Sequence, residues 1–149
     1  MRKIIIYTDG GSRGNPGPAA IGVLICDEKG KVLKDYSEYL GQATNNEAEY
    51  RAVIFALKKV KALYGKKTIK TTEVEVRSDS ELLIQQLNGK YKVVEPKIQL
   101  LFLQVWNLKV DFGKIKFNSI PREKNKEADR LVNKALDTRK EGPLTGLFG

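Results

Sequence analysis

Apolar positions fall in short runs whose period changes along the chain. Ile4-Ile5-Ile6-Tyr7-Thr8 has almost no polar interruption, which predicts a central strand over residues 3–9, buried on both faces. Gly10 to Pro18, rich in Gly, Asn and Pro, reads as a loop. Residues 20–27 and 31–40 predict two further strands joined by the turn Asp27-Glu28-Lys29-Gly30, an antiparallel meander. From about Asn45 the period becomes helical and holds to Tyr64, with Gly65 as the stop. A strand over 72–77 follows, then a helix from about Ser80 to Leu87 ended by Asn88-Gly89. Pro96 opens a helix to about Val110, residues 114–119 form a strand, and a last helix spans Lys126 to Thr138. Residues 141–149 read as a loose tail that offers Leu144, Leu147 and Phe148 for docking. Three strands followed by strand–helix alternation predict an α/β fold, a mixed sheet with helices on its faces.

Composition narrows the class. With 149 residues, 41% hydrophobic and 30% charged, residues 1–149 are expected to form one globular domain with a proper core. The balance of 27 Lys+Arg against 18 Asp+Glu gives a net charge of +9, which favours a polyanionic partner. Cys26, the lone cysteine, cannot form an internal disulfide and falls in an apolar run, as a buried thiol does. No run approaches the ~20 apolar residues of a membrane span, and Ile4-Ile5-Ile6 is too short for a signal peptide, so a cytoplasmic protein with no membrane partner is expected. The chain has no histidine, which excludes His-based triads and bases, and one cysteine excludes cysteine zinc sites. Any metal must be held by oxygen, and Mg²⁺ or Mn²⁺ leads.

Four carboxylates draw attention against this basic background. Asp9 ends the first strand, where Asp-Gly is also a common turn pair. Asp79 closes the strand 72–77, where it is equally suited to cap the next helix. Asp129 lies in the first turn of the last helix, after Asn125 as a plausible N-cap, where the helix dipole also favours it. Glu49 is the most informative. Thr44 and Glu47 fit a capping box, so Glu47 has a structural task. Glu49 instead heads the stripe of Ala52, Val53, Ala56, Val60 and Leu63, and so points along the core face toward the sheet. A carboxylate there must be paired or metal-bound. Two strand ends and two helix starts can converge at one end of a sheet. Such a cluster suits two hard cations gripping a phosphoryl group.

The same residues resemble type 1 ribonuclease H. Thr8-Asp9-Gly10-Gly11 with Gly14-Asn15-Pro16-Gly17-Pro18 is similar to the family's first motif. Thr44-Asn45-Asn46-Glu47-Ala48-Glu49 is similar to the second, Ser78-Asp79-Ser80 to the third, and Asn125-Lys126-Glu127-Ala128-Asp129 to the fourth. All four occur in family order over nearly the whole chain. The resemblance implies a five-stranded mixed sheet of order 3-2-1-4-5 flanked by helices. It implies endonucleolytic hydrolysis of the RNA strand of RNA–DNA hybrids by two Mg²⁺ or Mn²⁺ ions, giving 5′-phosphate and 3′-hydroxyl ends. Asp9, Glu49, Asp79 and Asp129 are then the metal ligands. Gly11, Ser12, Arg13, Gly14 and Asn15, with Asn45 and Asn46, are then the hybrid contacts, and a monomer is expected.

Two departures stand out. Many members carry a histidine in the loop before the last aspartate. Here that loop reads Ile120-Pro121-Arg122-Glu123-Lys124-Asn125, and Arg122 is the candidate to contact phosphate or product, though it cannot act as a base. Some members also carry a long basic insertion after the third motif. Here only Asn88 to Val93 stands there, with Lys90, Tyr91 and Lys92 as a partial replacement, unless these are an ordinary exposed loop. Whether double-stranded RNA is also cut stays open. Two rival readings are a phosphate loop like that of sugar kinases and actin-like ATPases, which needs a second domain, and a non-catalytic module that binds RNA-containing duplexes, which the loss of a carboxylate would mark.

Overall fold

The computed structural model describes residues 2–141. Glu141 closes the last helix, and residues 142–149, with Leu144, Leu147 and Phe148, lie outside the described residues. Strand β1 is Arg2–Ser12, β2 Gly17–Asp27, β3 Val32–Ala43, β4 Thr72–Ser78 and β5 Lys114–Ser119. They form one sheet of order β3-β2-β1-β4-β5, the order expected. β1 pairs antiparallel with β2 and parallel with β4, so the direction of pairing changes across β1. The helices are α1 (Asn45–Ile69), α2 (Glu81–Leu87), α3 (Pro96–Val110) and α4 (Lys126–Glu141), with a 3₁₀ turn, η1, over Arg122–Lys124. Among the described residues no helix is long and apolar enough to cross a membrane.

Several boundaries differ from expectation: β2 starts at Gly17, β3 runs on to Ala43 and α4 to Glu141, and two further differences bear on the site and on α1. The Gly-rich segment after Asp9 is largely strand, because Gly10, Gly11 and Ser12 stay in register opposite Ile21, Ala20 and Ala19 of β2. Only residues 13–16 are left between β1 and β2. Gly65 does end the amphipathic run of α1, at φ 83°, but the chain coils again to Ile69 beyond this kink. The left-handed conformation there is open to glycine at low cost.

The sheet is covered unequally. Ile4, Ile6, Val74 and Val76 face the main core, where α1 supplies Tyr50, Val53, Leu57 and Val60 and α3 supplies Ile98 and Val105. On the opposite face α4 packs Ala128 and Leu131 against Ile5, Leu24 and Cys26, and the buried thiol is raised above its usual pKa by burial. The close contact is made by small residues: a Cβ on Gly22 would stand 2.1 Å from the Ala128 carbonyl oxygen. The rest of that face carries charge instead of a helix. Glu75 on β4 takes Arg77 at 2.7 Å, Lys3 at 3.1 Å and Asn118 at 3.0 Å.

Candidate functional site

The C-terminal end of β1 gathers the acidic residues. Alternation along β1 turns Ile5 and Tyr7 toward α4 and Ile4 and Ile6 toward α1. Asp9 shares the α4 side, while Gly10 shares the α1 side. Gly10 is where the two sides meet, because its missing side chain lets α1 come in: a Cβ there would lie 2.3 Å from the Ala48 carbonyl carbon. The approach is used at once, since the Gly10 N–H donates to Glu49 Oε1 at 2.8 Å. Glu49 is 9% exposed, on the core side of α1 as its phase predicts. Glu47 makes the capping box with Thr44, each reaching the other's backbone N–H at 3.1 Å.

Asp79 follows β4 without capping α2. Ser80 takes the cap, accepting from the Leu83 N–H at 3.3 Å, which leaves the Asp79 carboxylate free for the cleft. One carboxylate oxygen from each of Asp9, Glu49 and Asp79 lies within 4.8 Å of the others. Asp129 enters from the first turn of α4, is exposed, and adds its charge to the crowding around the Asp9 carboxyl. All four line one cleft of about 380 Å³, together with Gly11, Ser12, Arg13, Asn45, Arg122 and Asn133.

The electrostatics of the cluster follow from crowding. Burial, then the charges of Asp79 and Asp129, push Asp9 up to about 8, against a smaller opposing effect of the Gly10 N–H. Burial, then Asp9 and Asp79, raise Glu49 well above the usual carboxylate range, opposed by Gly10 and the Arg122 guanidinium. An all-oxygen, partly buried set crowded enough to raise Asp9 and Glu49 fits a hard divalent cation.

The remaining expected residues divide. Ser12 donates its N–H to Asn45 Oδ1 at 2.8 Å, and the Asn45 N–H donates to Asn15 Oδ1 at 3.0 Å, so the turn after β1 and the start of α1 are tied together. Arg13 pairs with Asp137 at 2.6 Å and reaches Asn133 at 3.3 Å. Gly14, Asn15 and Asn46 stand outside the cleft lining. Lys90, Tyr91 and Lys92 are exposed beyond α2 and do not line the cleft either. Two contributors escape sequence reasoning. Asn133 sits one helical turn after Asp129 and donates to its carbonyl at 3.1 Å, a spacing that could have exposed it. Asn125, read as a helix cap, turns its amide inward instead, to the Thr8 carbonyl at 2.9 Å, and gave no local signal of that.

Comparison places this arrangement among known proteins. A family model described as reverse transcriptase-like matches residues 7–135. A bifunctional protein of Mycobacterium tuberculosis is 40% identical over 136 residues, covering 91% of this chain and 36% of that protein. Ribonuclease HI of Halobacterium salinarum is 36% identical over 135 residues, 91% of this chain and 65% of that one. The chain thus spans about a third of the mycobacterial relative and less than two thirds of the archaeal one. The solved structure of LC11-RNase H1 in complex with an RNA/DNA hybrid is 50% identical with a TM-score of 0.89, covering 93% of this chain and 99% of that one.

Proposed function

This chain belongs to the type 1 ribonuclease H family, and from that premise we propose that it hydrolyses the RNA strand of RNA–DNA hybrids. The proposed cut is endonucleolytic, leaves 5′-phosphate and 3′-hydroxyl ends and depends on two Mg²⁺ or Mn²⁺ ions. The observation that carries the reading is the meeting of Asp9, Glu49 and Asp79 within 4.8 Å, from a strand, a helix and a strand end. These three would hold the ions, with Asp129 joining from α4. When bound, the ions supply the positive charge that steadies the attacking and leaving oxygens of the scissile phosphate.

The chain's own groups set the rest. The Gly10 N–H fixes the Glu49 carboxylate. Arg122, on the cleft wall, offers a permanent positive charge to phosphate and cannot take up a proton. Asn45 accepts the Ser12 N–H through Oδ1, which commits its NH₂ to donate. A donor held beside a glycine-lined strand end suits a 2′-hydroxyl, the group that separates RNA from DNA, approached through the shallow minor groove. The net charge of +9 favours the duplex backbone outside the acidic cleft.

The test uses labelled RNA–DNA hybrid, double-stranded RNA and duplex DNA, each with Mg²⁺, Mn²⁺ or chelator. Cleavage confined to RNA strands and stopped by chelator is expected, with 5′-phosphate on the products. Hybrid left intact with both metals, or duplex DNA cut equally well, would sink the proposal.

A further inference from the structure

Asn125 is 1% exposed and lies between η1 and α4. Its Nδ2 donates to the Thr8 carbonyl at 2.9 Å and to Asp79 Oδ2 at 3.2 Å. Its own carbonyl accepts the Asp129 N–H at 3.1 Å. One residue therefore joins three of the four segments that carry the carboxylates: the peptide leading into Asp9, the Asp79 side chain and the backbone of Asp129.

The chemistry leaves little choice of residue. Both Nδ2 partners are acceptors, so the amide must face them with its NH₂. The Oδ1 is buried without a protein partner among the described residues, a disposition a cap would not leave. Aspartate would set a carboxylate against a carbonyl and another carboxylate. An apolar residue would leave the Thr8 carbonyl without its donor. A cation would satisfy the geometry but neutralise Asp79. A neutral double donor orients Asp79 and keeps its charge.

We infer that Asn125 is a positioning residue for the metal-holding carboxylates, one that fixes Asp79 and seats the start of α4 against the end of β1. This rests on the metal reading of the cleft proposed above. Hydrogen-bond partners of ligating carboxylates typically change metal affinity by about 10- to 100-fold when removed.

The experiment titrates Mn²⁺ into the full chain without substrate, by calorimetry or water-proton relaxation, for wild type, Asn125→Ala and Asn125→Ser. The serine variant keeps a donor for the buried carbonyl, directly or through water in the vacated space, while losing the bond to Asp79. Mn²⁺ affinity should fall about tenfold or more in both variants. With hybrid, kcat should fall while KM changes little, since Asn125 lies behind the carboxylates. A wild type that binds no Mn²⁺ would overturn the metal reading itself. A wild type that binds Mn²⁺ beside folded variants of equal affinity and kcat would overturn the role of Asn125 alone. Loss of fold in both variants at low temperature would reassign the residue to stability and overturn it too.

Discussion

Glu47 and Glu49 stand two residues apart at the start of α1 and face different partners. Glu47→Gln should leave hybrid cleavage within about twofold of wild type, because glutamine still serves a capping box. Glu49→Gln keeps an oxygen for the Gly10 N–H but loses its charge, and cleavage should drop at least a hundredfold. Initial rates with Mg²⁺ decide it, and the reverse order would show that the wrong face of α1 had been assigned to the site. Asp9 makes a second prediction through pH. Unfolded, it releases its proton near 3.8; folded and metal-free, it holds it to about 8. The folded state therefore binds more protons over that window, and stability falls as pH rises from 3.8 through 8. Thermal melts in chelator should show wild type losing ground to Asp9→Asn between pH 6 and 8.5, with the variant melting higher at the upper end. Parallel profiles would contradict the crowding described here. Glu49 was legible in the sequence because helix phase is a local property. Asn125 was not, because its partners lie 117 and 46 residues away and an asparagine before a helix is ordinarily a cap.

Among the elements, close approach decides more than polarity. Gly10→Ala and Gly22→Ala each drive a methyl into helix backbone, at 2.3 Å from Ala48 and 2.1 Å from Ala128. Overpacking costs about 1–3 kcal/mol, and rigid backbone contacts of this kind should reach or exceed the top of that range. Gly11→Ala meets only Val132 Cγ1 at 3.5 Å, so its melting temperature should stay near wild type, and any loss should appear in hybrid binding. Chemical denaturation of the three variants checks the ranking. Equal midpoints would mean that α1 and α4 shift freely to accept a side chain. The strands and helices themselves were readable, α3 to the residue, because apolar period, Pro96 and the helix-stopping glycines are local signals. The end of β1 was not readable. Gly-Gly-Ser has the composition of a turn, and only the pairing with β2, together with the pressure of α1, makes it strand.

Across the molecule, the two halves of the second sheet face are held differently. α4 packs by apolar contact, whereas the β4–β5 half is held by charge around Glu75. Arg77 first, then Asn118 and Lys3, hold the Glu75 carboxyl down to about 2. A depressed carboxylate stabilises above its unfolded value of 4.5, and that contribution is lost as pH falls through about 2. Glu75→Gln should therefore cost about 1–3 kcal/mol at neutral pH and much less near pH 2, measured by denaturant titration at both. An equal loss at both pH values would point to packing rather than charge. The order of the carboxylates along the chain has a consequence in time. Asp9, Glu49 and Asp79 all come from the first 79 residues, so an emerging chain has the trio proposed to hold the ions before α4 exists. If Asn125 tightens that trio when α4 docks, reciprocity requires the ion to hold α4 down by the same factor. Amide exchange over residues 126–136 should then slow on adding Mn²⁺. The ion would serve as the latch that ends folding as well as the agent of cleavage.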